Sequence, residues 1–308
     1  MSRLPLPVTV IGGYLGAGKT TLVNHLLRQA AGRRLAVLVN DFGVLPIDAA
    51  LIEGRDGEVL SLAGGCVCCS YGSDLVSTLL DLPSRVPGID HVLLETSGVA
   101  LPGAVAATLS LLAGYRLDAV VVLADAETTA TRATDLYMAD TIVRQFAAAD
   151  LVLLNKIDLA SAAALDAARR TIAEAAPRAR IVEVARSAAP IDVVLGMARA
   201  PAAPSVALST PGHVDAATLY DWLRVEVPPG EDLAGLAERL VDPTLGILRA
   251  KGLLADRTGR PHALHIVGAR WHLDDAPADA RPGDLVAIGL RGRLDAAAVR
   301  RSLVKAST

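Results

Sequence analysis

The sequence predicts an α/β chain in two parts: a doubly wound, mainly parallel sheet first, and a smaller α+β domain after it. Three observations carry this. Short apolar, β-rich runs alternate with longer helical stretches up to about Met197. A glycine-rich turn stands between the first such run and the first helix. Beyond a proline-rich interval the pattern changes to apolar runs joined by short turns, with one helix before them and one after.

The strand candidates of the first part are Val8–Gly12, Leu35–Asn40, His91–Glu95, Ala119–Asp125, Leu151–Asn155 and Arg180–Val184. Their near-continuous apolar character suits strands buried on both faces, as in a parallel sheet covered by helices. Helices are predicted over Lys19–Ala31, Asp74–Leu82, Pro102–Leu112, Asp135–Ala149 and Ser161–Ala176. The stretch "RAPAAPSVALSTPG" from Arg199 has no period and reads as a linker. After it come a helix from Asp232, strand-like "GILRAKGLLAD", "HALHIVGARWHL" and "DLVAIGL", and a closing helix from Asp295. The expected boundaries are 1–200 for the first domain, 201–212 for the linker and 213–308 for the second domain.

The chain has 308 residues and a formal net charge of −3, with acidic and basic residues interspersed. No basic field is available to neutralise a nucleic-acid backbone or to hold an anionic membrane surface. No apolar run approaches the roughly 20 residues of a membrane span, and "MSRLPLPVTVIGG" lacks the features of a signal peptide. A cytosolic location without nucleic-acid or membrane partners is therefore expected.

The glycine-rich turn, "GGYLGAGKTT", satisfies G-x-x-x-x-G-K-[ST] with Gly13, Gly18, Lys19 and Thr20. Its position after a predicted strand and before a predicted helix makes it a phosphate loop, and the first domain a P-loop NTPase. Backbone N–H groups of Gly13, Gly16, Ala17, Gly18, Lys19, Thr20 and Thr21 are placed to curl around phosphate oxygens. Lys19 reaches the β and γ phosphates, and the Thr20 hydroxyl takes a place on Mg²⁺.

"LVLLNKIDL" puts Asn155, Lys156 and Asp158 after a buried strand. An N-K-x-D tetrad reads guanine, because a carboxylate accepts from the paired donors of that base while the lysine stem lies along the ring; adenine has no such pair. GTP is the nucleotide expected. In "LLETSG", Glu95 ends a strand and Gly98 follows three residues on, as an acid near Mg²⁺ and a backbone N–H for the γ-phosphate. Asp41 in "VNDFG" is a second acid at the same edge, where ligands of open α/β sheets bind. Asp125 is a third, with a plain turn role as its alternative.

All three cysteines of the chain, Cys66, Cys68 and Cys69, fall within "GGCVCCS". Three thiolates in four positions suit Zn²⁺, Co²⁺ or Cu⁺, with a fourth ligand from water, a histidine or a carboxylate such as Asp41. A buried cysteine trio and a thiol redox sensor are the other two readings. Of the histidines, His25 and His91 are scattered. His262, His265 and His272 can line up on one hairpin, where surface or partner-docking roles are favoured over a second metal site.

Taken in order and spacing, "GGYLGAGKTTLVNHLL", "NDFG…ID", "GGCVCCS…DL", "ETSG" and "QFAAADLVLLNKIDL" resemble the CobW-like metallochaperone GTPases, relatives of the HypB and UreG nickel-insertion GTPases. "RAKG" (Arg249–Gly252) is similar to that family's C-terminal domain. The resemblance implies GTP-dependent delivery of zinc, cobalt or a similar ion to a client metalloprotein, with Cys66, Cys68 and Cys69 as ligands. Many members carry a histidine-rich interdomain stretch, where this chain offers only His213, and commonly Glu where it has Asp41. The mechanism expected is a GTPase switch with a metal cargo. Lys19, Asp41 and Glu95 act in hydrolysis; Thr20, Asp41 and Glu95 surround Mg²⁺; and the client docks largely on the second domain. A GTPase regulator or redox sensor using the same cysteines is the alternative, ahead of a metabolite kinase.

Overall fold

The computed structural model describes residues 5–30, 32–39, 58–61, 74–196, 219–277 and 280–303. Chain contacts divide it into two units, Met1–Leu195 and Gly196–Thr308.

The first unit is built on seven strands: β1 (Leu6–Gly13), β2 (Leu35–Val39), β3 (Glu58–Ser61), β4 (His91–Glu95), β5 (Tyr115–Asp125), β6 (Leu151–Asn155) and β7 (Arg180–Glu183). They pair in the order β3-β2-β4-β1-β5-β6-β7, and every pairing is parallel. Parallel neighbours need crossovers, and the chain supplies helices for them: α1 (Lys19–Arg28), α2 (Asp74–Arg85), α3 (Pro102–Leu109), α4 (Thr129–Arg132), α5 (Ala139–Ala147), α6 (Ala162–Ala175) and α7 (Ile191–Leu195). Alternate strand residues such as Val8, Val10, Leu94, Val120 and Val152 share a core with Leu79 of α2, Val105 of α3, Phe146 of α5 and Ile172 of α6. The residues between them, among them Ile11, Leu93 and Leu153, are fully buried as well. α1, with Leu22, Val23 and Leu26 buried, packs on β1 and β4, and α7 packs on β5. Burial on both faces is why these strands lack polar alternation.

Two differences from the sequence expectation have local causes. The stretch expected to be helical from Asp135 forms a helix only from Ala139, because the Asp135 carboxylate accepts from the backbone N–H of Tyr137 (2.8 Å) and of Met138 (3.1 Å). That side-chain turn competes with the helical ladder. β3 is an additional strand, four residues long at the sheet edge, too short to show a period.

The second unit is an antiparallel sheet in the order β11-β10-β9-β12-β8, made by β8 (Tyr220–Glu226), β9 (Ile247–Ala255), β10 (Pro261–Val267), β11 (Arg270–Asp275) and β12 (Asp284–Leu290). Leu223, Leu254, Leu264, Ile266 and Leu285 meet Leu236 and Leu240 of α8 (Leu233–Leu240) and Val299 and Leu303 of α9 (Ala296–Leu303). Asp232 caps α8 by accepting from the Gly235 N–H at 3.3 Å, the expected start of that helix. β8 was not among the expected strands. It buries only Tyr220, Leu223 and Val225 in an otherwise polar run. Among the described residues, no helix is long and apolar enough to cross a membrane.

Candidate functional site

Parallel pairing carries the C-terminal strand ends to one edge. In register, Glu95 faces Ile11 of β1 and Val39 of β2, Gly13 faces Leu123, and Asp125 faces Asn155. The phosphate loop leaves β1 at this edge, where the strand order reverses and open α/β sheets bind ligands. Gly16 is exposed, Ala17 is buried beneath it, and Thr21 faces out from the first turn of α1. Lys19 is 8% exposed, so its charge sits at the inner wall of the loop.

Gly18 closes the loop and opens the helix at φ 107°, ψ 24°, a region that side chains rarely occupy. It is also crowded. A Cβ there would stand 2.6 Å from both Asn155 Nδ2 and Ser187 Oγ. No acidic residue occupies the first turn of α1 and no side chain caps it, which leaves its N–H groups and positive dipole end for an anion.

Glu95 is 2% exposed, and its Oε1 accepts the Thr20 hydroxyl at 3.0 Å. The "ETSG" run continues the β4–β1 ladder, with the Thr96 N–H donating to the Ile11 carbonyl at 2.9 Å. It then presses Gly98 against the phosphate loop. A Cβ at Gly98 would meet the Leu15 backbone N at 2.8 Å and its side chain at 2.5 Å, so only glycine permits this approach. Gln145 of α5, 1% exposed, donates to the carbonyls of Gly98 (3.1 Å) and Ala100 (2.8 Å). On the outer side Arg132 donates to the Leu15 carbonyl at 3.1 Å and lies over the Tyr14 ring at 5.3 Å.

At the tetrad, Lys156 adopts φ 63°, and its Nζ pairs with the buried Asp125 Oδ2 at 2.7 Å. The Asp125 Oδ1 accepts the Glu127 N–H at 2.9 Å. Asp125 thus fixes the lysine stem as well as its own turn. Asn155 directs its amide inward: Nδ2 donates to the Ala17 carbonyl (2.9 Å) and to Ser187 Oγ (2.8 Å), and Oδ1 accepts the Ser187 N–H (2.8 Å). Ser187 Oγ in turn donates to the Gly18 carbonyl at 3.1 Å. Asp158 remains 35% exposed, with Arg186 Nε at 3.9 Å.

The structure therefore gathers Gly13, Gly16, Ala17, Gly18, Lys19, Thr20, Thr21, Glu95, Gly98, Asn155, Lys156 and Asp158 at one edge. Asp41, Cys66, Cys68 and Cys69 lie outside the described residues. Sequence reasoning missed Gln145, Arg186 and Ser187. The signal for the last two was the polar "ARSA" directly after the strand run that ends at Val184, at the same edge as Asn155; both adopt positive φ, 51° and 56°. His91 is buried in a hydrogen bond to Thr9 at 2.8 Å. His25 lies on α1 with its Nε2 buried and no partner for it among the described residues.

Residues 7–183 match the nucleotide-binding domain of CobW, HypB and UreG. The chain belongs to the CobW/HypB/UreG family. Residues 204–307 match the C-terminal domain of the cobalamin synthesis protein CobW. Two relatives align along nearly the whole chain. The "Zinc chaperone CobW" of Pseudomonas aeruginosa is 35% identical, with 97% of this chain and 90% of that protein covered. The "Zinc chaperone CobW" of Sinorhizobium sp is 31% identical, with 97% and 96% covered. Among solved structures, the Zn(II)-bound YjiA GTPase of Escherichia coli aligns over 98% of this chain and 100% of that one, at 22% identity and a TM-score of 0.48.

Proposed function

We propose that this chain carries zinc on Cys66, Cys68 and Cys69 and hands it to a client metalloprotein under control of the bound guanine nucleotide. The chain is a GTPase of the CobW/HypB/UreG family, and its class is that of GTP-dependent metallochaperones for zinc. What supports the finer reading is the joining of a phosphate loop, a buried acid on Thr20 and a guanine tetrad at one sheet edge, in a chain whose two relatives above are both named zinc chaperones.

The chain's own residues divide the hydrolytic work. The N–H groups from Gly13 to Thr21 and the Lys19 ammonium bind the phosphates and stabilise the charge that develops on the transferring group, the dominant contribution in phosphoryl transfer. Thr20 Oγ1 and Glu95 Oε1, 3.0 Å apart, are hard oxygen donors of the kind Mg²⁺ accepts, so these residues fit that ion and would hold it, with Asp41 a further candidate. When bound, Mg²⁺ neutralises charge on the β and γ oxygens. Asp41 or Glu95 orients the attacking water. The backbone N–H of Gly98, held by Gln145 through its own carbonyl, senses the γ-phosphate. Asp158 reads the base, while Asn155 and Ser187 keep the base side and the phosphate side in register. The zinc cargo sits on the three thiolates, Co²⁺ being an alternative ion for the same donors. The client docks largely on the second domain, and the cycle runs in the cytosol.

Anaerobic titration of Zn²⁺ and Co²⁺ into protein loaded with a non-hydrolysable GTP analogue, then into the GDP form, tests this. Coupling of about 1–3 kcal/mol between the two sites changes metal affinity roughly 5–150-fold between the states. Cobalt bound to the cysteines shows thiolate charge-transfer absorption. Equal affinities in the two states, or stoichiometric binding that persists after all three cysteines are replaced by serine without a change in spectrum, would defeat the proposal.

A further inference from the structure

A second cluster of metal-ligating side chains lies in the second unit, on the β10–β11 hairpin. His265 stands directly opposite His272, and Asp274 lies on the same face as His272, across from Ala263, because strand residues alternate faces. The two imidazoles stack, centroids 4.6 Å apart and planes within 7°. Both Nε2 atoms approach a single carboxylate oxygen, Asp274 Oδ2, at 3.6 Å from His265 and 3.8 Å from His272. One donor atom from each residue lies within 4.8 Å of the others. The side chains are 12%, 21% and 16% exposed for His265, His272 and Asp274.

These separations are long for a direct N–H···O bond, about 2.7–3.2 Å. They are close to the spacing of two donors on one tetrahedral ion, roughly 3.3–3.5 Å for ligand bonds of about 2.0–2.2 Å. Imidazole nitrogens and carboxylate oxygens are both donors that zinc-class ions accept. His262, on the opposite face of the hairpin, differs: its Nε2 is 3.1 Å from Asp256 Oδ2 and its Nδ1 is 3.4 Å from Asp275 Oδ1, the arrangement of an ordinary acid–histidine pair.

We propose that His265, His272 and Asp274 bind one divalent transition ion of the zinc class through two imidazole nitrogens and one carboxylate oxygen. Three protein donors leave a fourth position open, so the ion exchanges. Lys251 stands opposite His265 on β9 and on the same face. The site uses none of the cysteines, and its test stands apart from theirs.

The full chain carrying Cys66→Ser, Cys68→Ser and Cys69→Ser, without nucleotide, is titrated with Co²⁺ and, against a chromophoric chelator, with Zn²⁺. One equivalent binds, cobalt giving ligand-field absorption without a thiolate charge-transfer band. Adding His265→Gln or His272→Gln weakens binding by about 10-fold or more, while His262→Gln leaves it unchanged. Absence of saturable binding, unchanged affinity in both His265→Gln and His272→Gln, or an equal loss in His262→Gln would overturn the assignment. Should a glutamine variant lose its native circular dichroism, proton NMR of the parent answers the same question: Zn²⁺ shifts the ring protons of His265 and His272 together, and failure to move them refutes the site.

Discussion

Ser187→Ala probes the link between the phosphate loop and the base-reading loop. The hydroxyl takes part in two hydrogen bonds, accepting from Asn155 Nδ2 at 2.8 Å and donating to the Gly18 carbonyl at 3.1 Å. The Gly18 carbonyl keeps the Leu22 N–H at 2.9 Å, so its satisfaction survives. Asn155 keeps its bonds to the Ala17 carbonyl and to the Ser187 N–H, yet one of its buried amide hydrogens is stranded. A stranded buried donor costs about 1–3 kcal/mol. Alanine tolerates φ 56° no better and no worse than serine, so the backbone contribution cancels. The expected loss is about 1–2 kcal/mol in urea unfolding of the first unit, with a roughly 5–30-fold rise in Kd for a fluorescent GDP analogue if the bound state depends on the same clamp. Because Asn155→Ala removes the other end of the bond, the double variant costs no more than Asn155→Ala alone within about 0.5 kcal/mol. Additive losses in the double variant, or wild-type behaviour of Ser187→Ala, would refute the clamp.

Two further outcomes are expected. Asp158→Asn exchanges an acceptor for a donor, so GTP affinity falls by about two orders of magnitude, the loss of one or two charge-assisted bonds, and xanthosine triphosphate, with a carbonyl where guanine has its amino group, gains; competition binding with both nucleotides checks this. His25 is held below its ordinary pKa of 6.5 chiefly by burial, then by the Arg28 charge, against the opposing hydrogen bond with the Ala189 backbone. The unfolded chain therefore takes up that proton more readily than the folded one, and stability, full above about pH 6.5, declines as pH falls through that value toward the folded pKa. His25→Gln flattens this decline in urea midpoints measured between pH 7.5 and 5.5; an unchanged slope would count against it.

The first unit was legible in the sequence because its determinants are local. Strands buried on both faces write long apolar runs, and the glycine pattern of a phosphate loop admits few other uses once a strand precedes it and a helix follows. Glu95 and the Asn155 tetrad were readable for the same reason, each standing at the end of such a run. Ser187 and Gln145 were not. Their importance comes from partners 32 and 47 positions away, and a serine or glutamine carries no local mark of the carbonyl it will meet. Asp125 had two readings, and the bond to Lys156 Nζ joins both. In the second unit β8 escaped notice because alternation with one buried face yields few apolar residues. His265 and His272 could be aligned on a hairpin from the sequence, but their stacking and their common approach to Asp274 depend on pairing register, which one residue of slip would abolish.

Gln145 belongs to α5, a helix otherwise concerned with burying Ile142 and Phe146, yet its amide grips the carbonyls of Gly98 and Ala100. The helix whose outward side exposes Asp140 and Arg144 is thereby joined to the turn that presses Gly98 against the phosphate loop. A rotation of α5 by a fraction of a turn would withdraw the Gln145 amide from both carbonyls and free the turn that follows β4.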